Sequence, residues 1–352
     1  MTASRSRSAD VQLKPLAVLL QVKEAFMRAW QFDSFGVPRS VLQLRELPAP
    51  KPGEGECLVL TRAVALNFPD ILLVEGKYQF KPELPAIPGM EAMGVVEQSG
   101  PGSRFKPGQR VLVSVLNGAF AEQLVAQDAL MLEVPEGMSD EAAAGFHVTY
   151  QTSYFALVHR AALRPGEWLL VHGAAGGVGT SAVQLGKALG ARVIATAGGL
   201  KKCEVAKACG ADFVIDTRSQ DFVAEVKRIT EGRGADVIYD PVGGETFEKS
   251  TKVIAFEGRI LVIGFASGTI PTVSVNRLLL KTAAVVGLQW GAYKLIAPEK
   301  VEAAHRALCD LFTAGKIKPV IFDRRLGFEQ LLDGLDALSS REAFGKVVLT
   351  AP

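Results

Sequence analysis

A chain of 352 residues is long for one core and points to two domains. Hydrophobic residues at 48%, charged residues at 22% and a net charge of +2 describe an ordinary soluble globular protein and argue against a polyanion-binding surface, which needs concentrated basic residues. No apolar run reaches the roughly 18 residues that span a bilayer, and Cys57, Cys203, Cys209 and Cys309 form no C-x-x-C pair, so neither a disulfide framework nor a zinc knuckle is expected.

Residues 1–26 read as an N-terminal extension. Arg5 and Arg7 suit a mitochondrial presequence, whereas Asp10 and Glu24 do not. The apolar patch from Leu16 to Val22 is broken by Gln21 and lacks a small-residue cleavage site, which argues against a secretory signal. A reducing, cytoplasmic location is expected, with a mitochondrial one as the alternative.

From 27 to 145 the chain is strand-rich: CLVLTRAV from Cys57, GVVE from Gly94 and QRVLVSV from Gln109 are separated by Pro-Gly turns after Lys51 and Lys106. This predicts a compact, mostly antiparallel β domain. Between 146 and 288 the pattern changes to strand–helix alternation. Strands are predicted at 168–171, 192–195, 213–215, 237–239, 259–263 and 283–287, with helices at 201–209 and 221–230 among those between them. Such alternation implies a doubly wound parallel sheet. A helix over 298–314 and a strand over 346–350 are left without partners in that sheet, so 289–352 is expected to return to the first domain.

The stretch LLVHGAAGGVGT, Leu169 to Thr180, carries the most chemistry. A short buried strand runs into a small-residue turn, and apolar residues at helical spacing follow from Ser181 to Leu189. Glycines let backbone N–H groups approach a pyrophosphate, and a helix N-terminus offers it unpaired donors and partial positive charge. Ala174 stands at the first place of the usual G-x-G-x-x-G, with Gly176 and Gly179 at the other two. Ala175 to Gly179, namely Ala175, Gly176, Gly177, Val178 and Gly179, is therefore the expected dinucleotide turn.

Further segments sharpen this. They are ALNFPD ending at Asp70, PAIPGME ending at Glu91, HGAAGGVG from His172, GAD from Gly210, DPVGG from Asp240 and GKVVL from Gly345. From Met27 onward the sequence resembles the medium-chain dehydrogenase/reductase superfamily, and within it the quinone oxidoreductase, or zeta-crystallin-like, branch. The resemblance implies an α/β fold, a parallel Rossmann sheet binding NADP plus a GroES-like antiparallel β catalytic domain. In the zinc alcohol dehydrogenases a cysteine stands where this chain has Asn67, and Gly-His-Glu is here Gly89-Met90-Glu91. A thioether is a poor zinc partner, so no metal is expected.

Without a Lewis acid, the natural chemistry is hydride transfer from a reduced nicotinamide to a quinone or an α,β-unsaturated carbonyl, with the protein orienting both and stabilising the developing oxyanion. Asn67 is the candidate for orienting the substrate carbonyl or the nicotinamide ribose, and Tyr78 for stacking on or donating to the acceptor. Leu72 replaces a tyrosine of some relatives. The end of the second strand, TAGG from Thr196, has no acid for a ribose of NAD. Lys202 aligns with the lysine that relatives use on the adenosine 2′-phosphate, and Arg218 is kept, although Gly199 and Thr217 depart from the relatives. NADPH is thus the expected cofactor, with further contacts from Thr149, Val242, Gly243, Ile263, Phe265 and Lys346.

Two alternatives stay open. One is an enoyl-thioester (enoyl-CoA) reductase, for which Lys77, Lys81 and Arg104 offer a basic entrance; the other is a non-enzymatic RNA-binding or structural protein. The apolar strand AAVVGLQW, Ala283 to Trp290, placed at a sheet edge, predicts a homodimer through the nucleotide domain.

Overall fold

The computed structural model describes residues 26–351, so nearly all of the N-terminal extension lies outside the described residues. Antiparallel β1 (Phe26–Gln31) and β2 (Gln43–Pro48) precede the catalytic sheet. That sheet is built from β3 (Glu56–Ala65), β4 (Glu91–Ser99), β5 (Arg110–Ser114), β6 (Gln123–Gln127) and β7 (Met131–Glu133). All of these pair antiparallel, with β3 shared between β4 and β6.

The next six strands are β8 (Trp168–Val171), β9 (Arg192–Ala197), β10 (Phe213–Asp216), β11 (Ala235–Asp240), β12 (Ile254–Val262) and β13 (Ala284–Gly287). They are all parallel, in the order β10-β9-β8-β11-β12-β13. Each of the six strands predicted between 146 and 288 overlaps one of them. The runs WLLV and ADVIYD are buried at every position, as central parallel strands covered on both faces must be. The order reverses between β8 and β11, and ligands of open α/β sheets lie beyond the carboxyl ends of strands at such a point. The edge strand β13 is different. Val285 is 37% exposed, and on the neighbouring helix Val275–Lys281 Leu279 is 77% and Leu280 75% exposed.

Past β13 the chain crosses back. The helix Pro298–Thr313 docks on the catalytic side through His305 Nε2 and the Glu133 carbonyl oxygen at 2.9 Å, and through an Arg104–Glu302 ion pair. β14 (Leu326–Gly327) and β15 (Val348–Thr350) extend the catalytic sheet beside β3. The helix His147–Tyr154 sits where the two halves meet: Phe146 and Tyr150 share one buried cluster with Met93 of the catalytic sheet and Ala182 and Val171 of the nucleotide half.

Candidate active site

The glycine turn closes between β8 and the helix Gly177–Ala188, which begins inside the turn, earlier than the apolar spacing suggested. Gly173 takes the left-handed conformation (φ +56°), one residue before Ala174, which is how an alanine is tolerated at the first motif place. A side chain at Gly179 would collide with the Gly173 carbonyl oxygen, and one at Gly177 would sit 3.0 Å from Lys346 Cδ and 3.2 Å from Thr149 Cγ2. The first N–H groups of the helix have no partner within it, leaving Gly177, Val178 and Gly179 able to hold an anion. The turn is clamped from outside the nucleotide half, because Gly345 N–H donates to the Ala175 carbonyl at 2.7 Å.

His172 lies beneath this turn, bonded through Nδ1 to Thr196 Oγ1 (3.0 Å) and through Nε2 to Ser250 Oγ (2.9 Å). Burial pushes its pKa down to about 3, so it is a neutral tie between β8, β9 and the helix Gly244–Ser250. Thr149 is buried, and its hydroxyl donates to Gly145 O at 2.9 Å. Val242 and Gly243 donate their backbone N–H groups to Asp240 Oδ1 (2.8 and 3.0 Å), which shapes the loop after β11; the Phe265 ring closes over Gly243 (φ +72°). Ile263 N–H donates to Asp240 O at 3.0 Å.

At the end of β9 the Asp216 carboxylate accepts the backbone N–H groups of Gly199 (2.8 Å) and Arg218 (3.0 Å), and cations gather around it. Gly199 has φ +91°, and a side chain there would lie 3.0 Å from Arg218 Nη1, so the guanidinium occupies the space that a side chain would take. Lys202 Nζ donates to the Arg341 carbonyl at 2.6 Å. Its pKa is lowered by burial first, then by the Arg218 and Arg341 charges. Arg341 escaped the sequence reading. Its signal, a basic residue in the segment SREAF before Gly345, gains meaning only when the return segment is seen beside Lys202.

At the seam between the halves, Lys346 Nζ donates to Leu66 O (3.0 Å), Asn67 Oδ1 (2.6 Å) and Glu91 Oε2 (3.0 Å), which uses all three ammonium hydrogens. The lysine reaches the cofactor turn by its stem instead. Asn67 Nδ2 donates to Ala65 O and Glu91 Oε2, both at 3.3 Å, and Glu91 Oε1 accepts Val148 N–H at 2.7 Å. Asp70 accepts the Asn67 N–H at 2.7 Å, and burial raises its pKa to about 7. Tyr78 is half-buried nearby, its phenol pKa raised by burial and then by Asp70. Asn67 and Met90 offer an amide and a thioether, Glu91 is bound to an ammonium, and among the described residues no three His, Cys, Asp or Glu side chains are grouped to hold a metal ion. This donor set does not fit zinc. A separate surface hollow, lined by Trp168, Arg192, Lys207 and Phe213, opens at the amino ends of the parallel strands, the wrong end of the sheet for a nucleotide.

Comparison with known proteins matches residues 53–150 to the alcohol dehydrogenase GroES-like domain and residues 177–308 to the zinc-binding dehydrogenase family. The chain is 36% identical over 300 residues to quinone oxidoreductase-like protein 2 homolog of Nematostella vectensis, covering 84% of this chain and 82% of that protein. It is 34% identical over 304 residues to quinone oxidoreductase-like protein 2 of Bos taurus, covering 86% and 87%. Among solved structures it is similar to the Escherichia coli quinone oxidoreductase complexed with NADPH, at TM-score 0.85 and 31% identity over 92% of this chain and 99% of that one.

Proposed function

Since this chain belongs to the quinone oxidoreductase family of medium-chain dehydrogenases/reductases, we propose that it reduces quinones or α,β-unsaturated carbonyls with NADPH and without zinc. The observation that carries the reading is the seam network. Where a zinc dehydrogenase would gather metal ligands, this chain places the Lys346 ammonium between Asn67 and Glu91. The glycine turn fits the pyrophosphate, and Lys202, Arg218 and Arg341 fit an adenosine 2′-phosphate, which needs charge-assisted donors.

Bound NADPH supplies a hydride with its two electrons. The protein's part is positioning and electrostatics. Lys346 and Glu91 fix the Asn67 amide from both sides, so its place beside the cofactor turn is set before anything binds. Gly345 pins the turn to the catalytic half, and the Phe265 ring and Val242–Gly243 loop wall the cleft opposite. Tyr78 is the candidate to face the acceptor. The enoyl-thioester alternative is weaker, because Arg104 is spent on Glu302 and two backbone carbonyls and Lys77 on Glu75. A second copy is expected to pair along β13, covering Val285, Leu279 and Leu280. The test is turnover: NADPH oxidation with para-quinones, short enones and enoyl-CoAs, compared by kcat/KM. Preference for quinones or enones supports the reading; preference for enoyl-CoA, or no turnover of any acceptor, refutes it.

A further inference from the structure

The hollow at the amino ends of the parallel strands has no part in the chemistry above. Trp168, Arg192 and Phe213 are the first residues of β8, β9 and β10, so three adjacent strands present their leading side chains at one end of the sheet. The helix Leu200–Ala208 adds Lys207, the loop before β10 adds Asp212, and the helix Phe222–Ile229 adds its last residue, Ile229. The hollow measures about 670 Å³, within the roughly 300–1,000 Å³ of small-molecule sites. Since β8 runs from Trp168 to Val171 and meets the glycine turn at its far end, the hollow and the cofactor turn lie at opposite ends of the sheet.

Its lining combines open aromatic surface with positive charge. Phe213 is 41% exposed on the edge strand β10, and its ring stands 5.9 Å from that of Trp168. The Arg192 guanidinium lies over the Trp168 ring, with Cζ 3.9 Å from the centroid, a cation–π contact that holds it in place. That contact leaves its N–H donors without an acceptor among the described residues. Lys207 Nζ donates to Ala211 O (3.2 Å) and Asp212 O (3.3 Å), with one ammonium hydrogen left over. Asp212, the acid of the lining, is already satisfied. Lys187 Nζ meets both its oxygens at 2.8 Å, and Val193 N–H donates to Oδ2 at 2.7 Å. Its charge is therefore balanced by Lys187, and the charges of Arg192 and Lys207 stay uncompensated among the described residues.

An exposed ring beside a fixed, unpaired guanidinium suits a ligand with a flat apolar body and a negative group. Both helices turn their carboxyl ends toward the hollow, since Lys207 and Ile229 belong to last turns. The partial negative charge there disfavours a phosphate and restricts the ligand to a single negative charge. We propose that this hollow is a second ligand site, for a planar aromatic carboxylate. The ring system packs on Phe213 and Ile229, and the carboxylate pairs with the Arg192 guanidinium, which matches its geometry, in the field of Lys207. The site is independent of the reductase reading, because nothing bound here reaches the cleft.

Isothermal titration of the NADPH-saturated protein with 2-naphthoate tests the site while the cofactor cleft is filled. A Kd on the order of 0.1–1 mM is expected for a ligand of this size in an open site. The uncharged 2-naphthamide should bind at least about tenfold more weakly. Arg192→Met keeps a stem over the Trp168 ring and removes the charge, so it should weaken naphthoate about tenfold and leave naphthamide unmoved. Phe213→Ser, at an exposed position, should weaken both ligands several-fold and keeps the test open if Arg192→Met fails to fold. Raising salt from about 0.05 to 0.5 M should weaken naphthoate and spare naphthamide. No heat from naphthoate up to about 10 mM overturns the site. Equal binding of the two ligands also overturns it, as does a naphthoate Kd that neither Arg192→Met nor Phe213→Ser moves, which would seat the ligand elsewhere.

Discussion

Replacing Lys202 with alanine should separate the two nicotinamide cofactors. In the structure the ammonium is held by the Arg341 carbonyl at 2.6 Å and pressed by the Arg218 and Arg341 charges, which together with burial lower its pKa. Arg218 already has the Asp216 carboxylate beside it, and the 2′-phosphate of NADPH, close to a dianion at neutral pH, would add the counter-charge that Lys202 lacks. A charge-assisted hydrogen bond to it contributes about 1.5–3 kcal/mol. At about 1.4 kcal/mol per decade this is a roughly ten- to hundredfold rise in the KM for NADPH. The lower end is expected, since Lys202 is only partly buried and both guanidinium groups remain. The KM for NADH, which lacks the phosphate, should barely move, and kcat should hold because the contact is remote from the nicotinamide. Only the charged lysine binds the phosphate strongly, so wild-type affinity for NADPH should weaken as pH rises through the lowered lysine pKa, and the variant should lose that limb. Steady-state kinetics with both cofactors across pH decide the matter. Equal effects on NADPH and NADH, or a wild type that uses both equally well, would refute the assignment.

Metal analysis of purified protein should find far less than stoichiometric zinc, and a chelator should leave reductase activity intact; zinc whose removal abolishes turnover would overturn the mechanism. Light scattering should give a dimer at micromolar concentration, and Val285→Lys on the exposed edge of β13 should shift it toward monomer. His172, held at about 3 against an ordinary 6.5, lets the unfolded chain take up a proton that the fold refuses, so its contribution to stability is lost as pH falls from 6.5 toward 3. Asp70, raised from 3.8 to about 7, acts oppositely: its folded-state protonation favours the fold as pH falls from about 7 toward 3.8. Asp70→Asn removes that compensation, and its Tm should therefore drop more than the wild-type Tm between pH 7 and pH 5; parallel Tm curves would show that Asp70 is ionised in the fold.

The six parallel strands and the glycine turn were legible because each depends on neighbours in sequence: an apolar run for a covered strand, small residues where the helix start and strand end collide at Gly179 and Gly173. Local patterning could not place Arg341 beside Lys202, nor Lys294 beside Ser114, since those contacts join distant segments and leave no periodicity behind. The ammonium of Lys346 shows the same limit. The resemblance brought it to the cofactor, and only the packing of β3, β4 and the return segment reveals that its hydrogens serve Leu66, Asn67 and Glu91. These misses share a source, which says something about how the site is built. Arg341 stands at the Lys202 end, Gly345 on the glycine turn and Lys346 at Asn67, so one short return segment touches the candidate cofactor site at both ends and the middle. The nucleotide half supplies the turn, the sheet and the cations Lys202 and Arg218; Arg341 and the clamp on the turn come from the return segment. Cofactor affinity and the relative placement of the two halves are therefore coupled through that segment, and a change within it should disturb both together, whereas a change at Lys202 should disturb affinity alone.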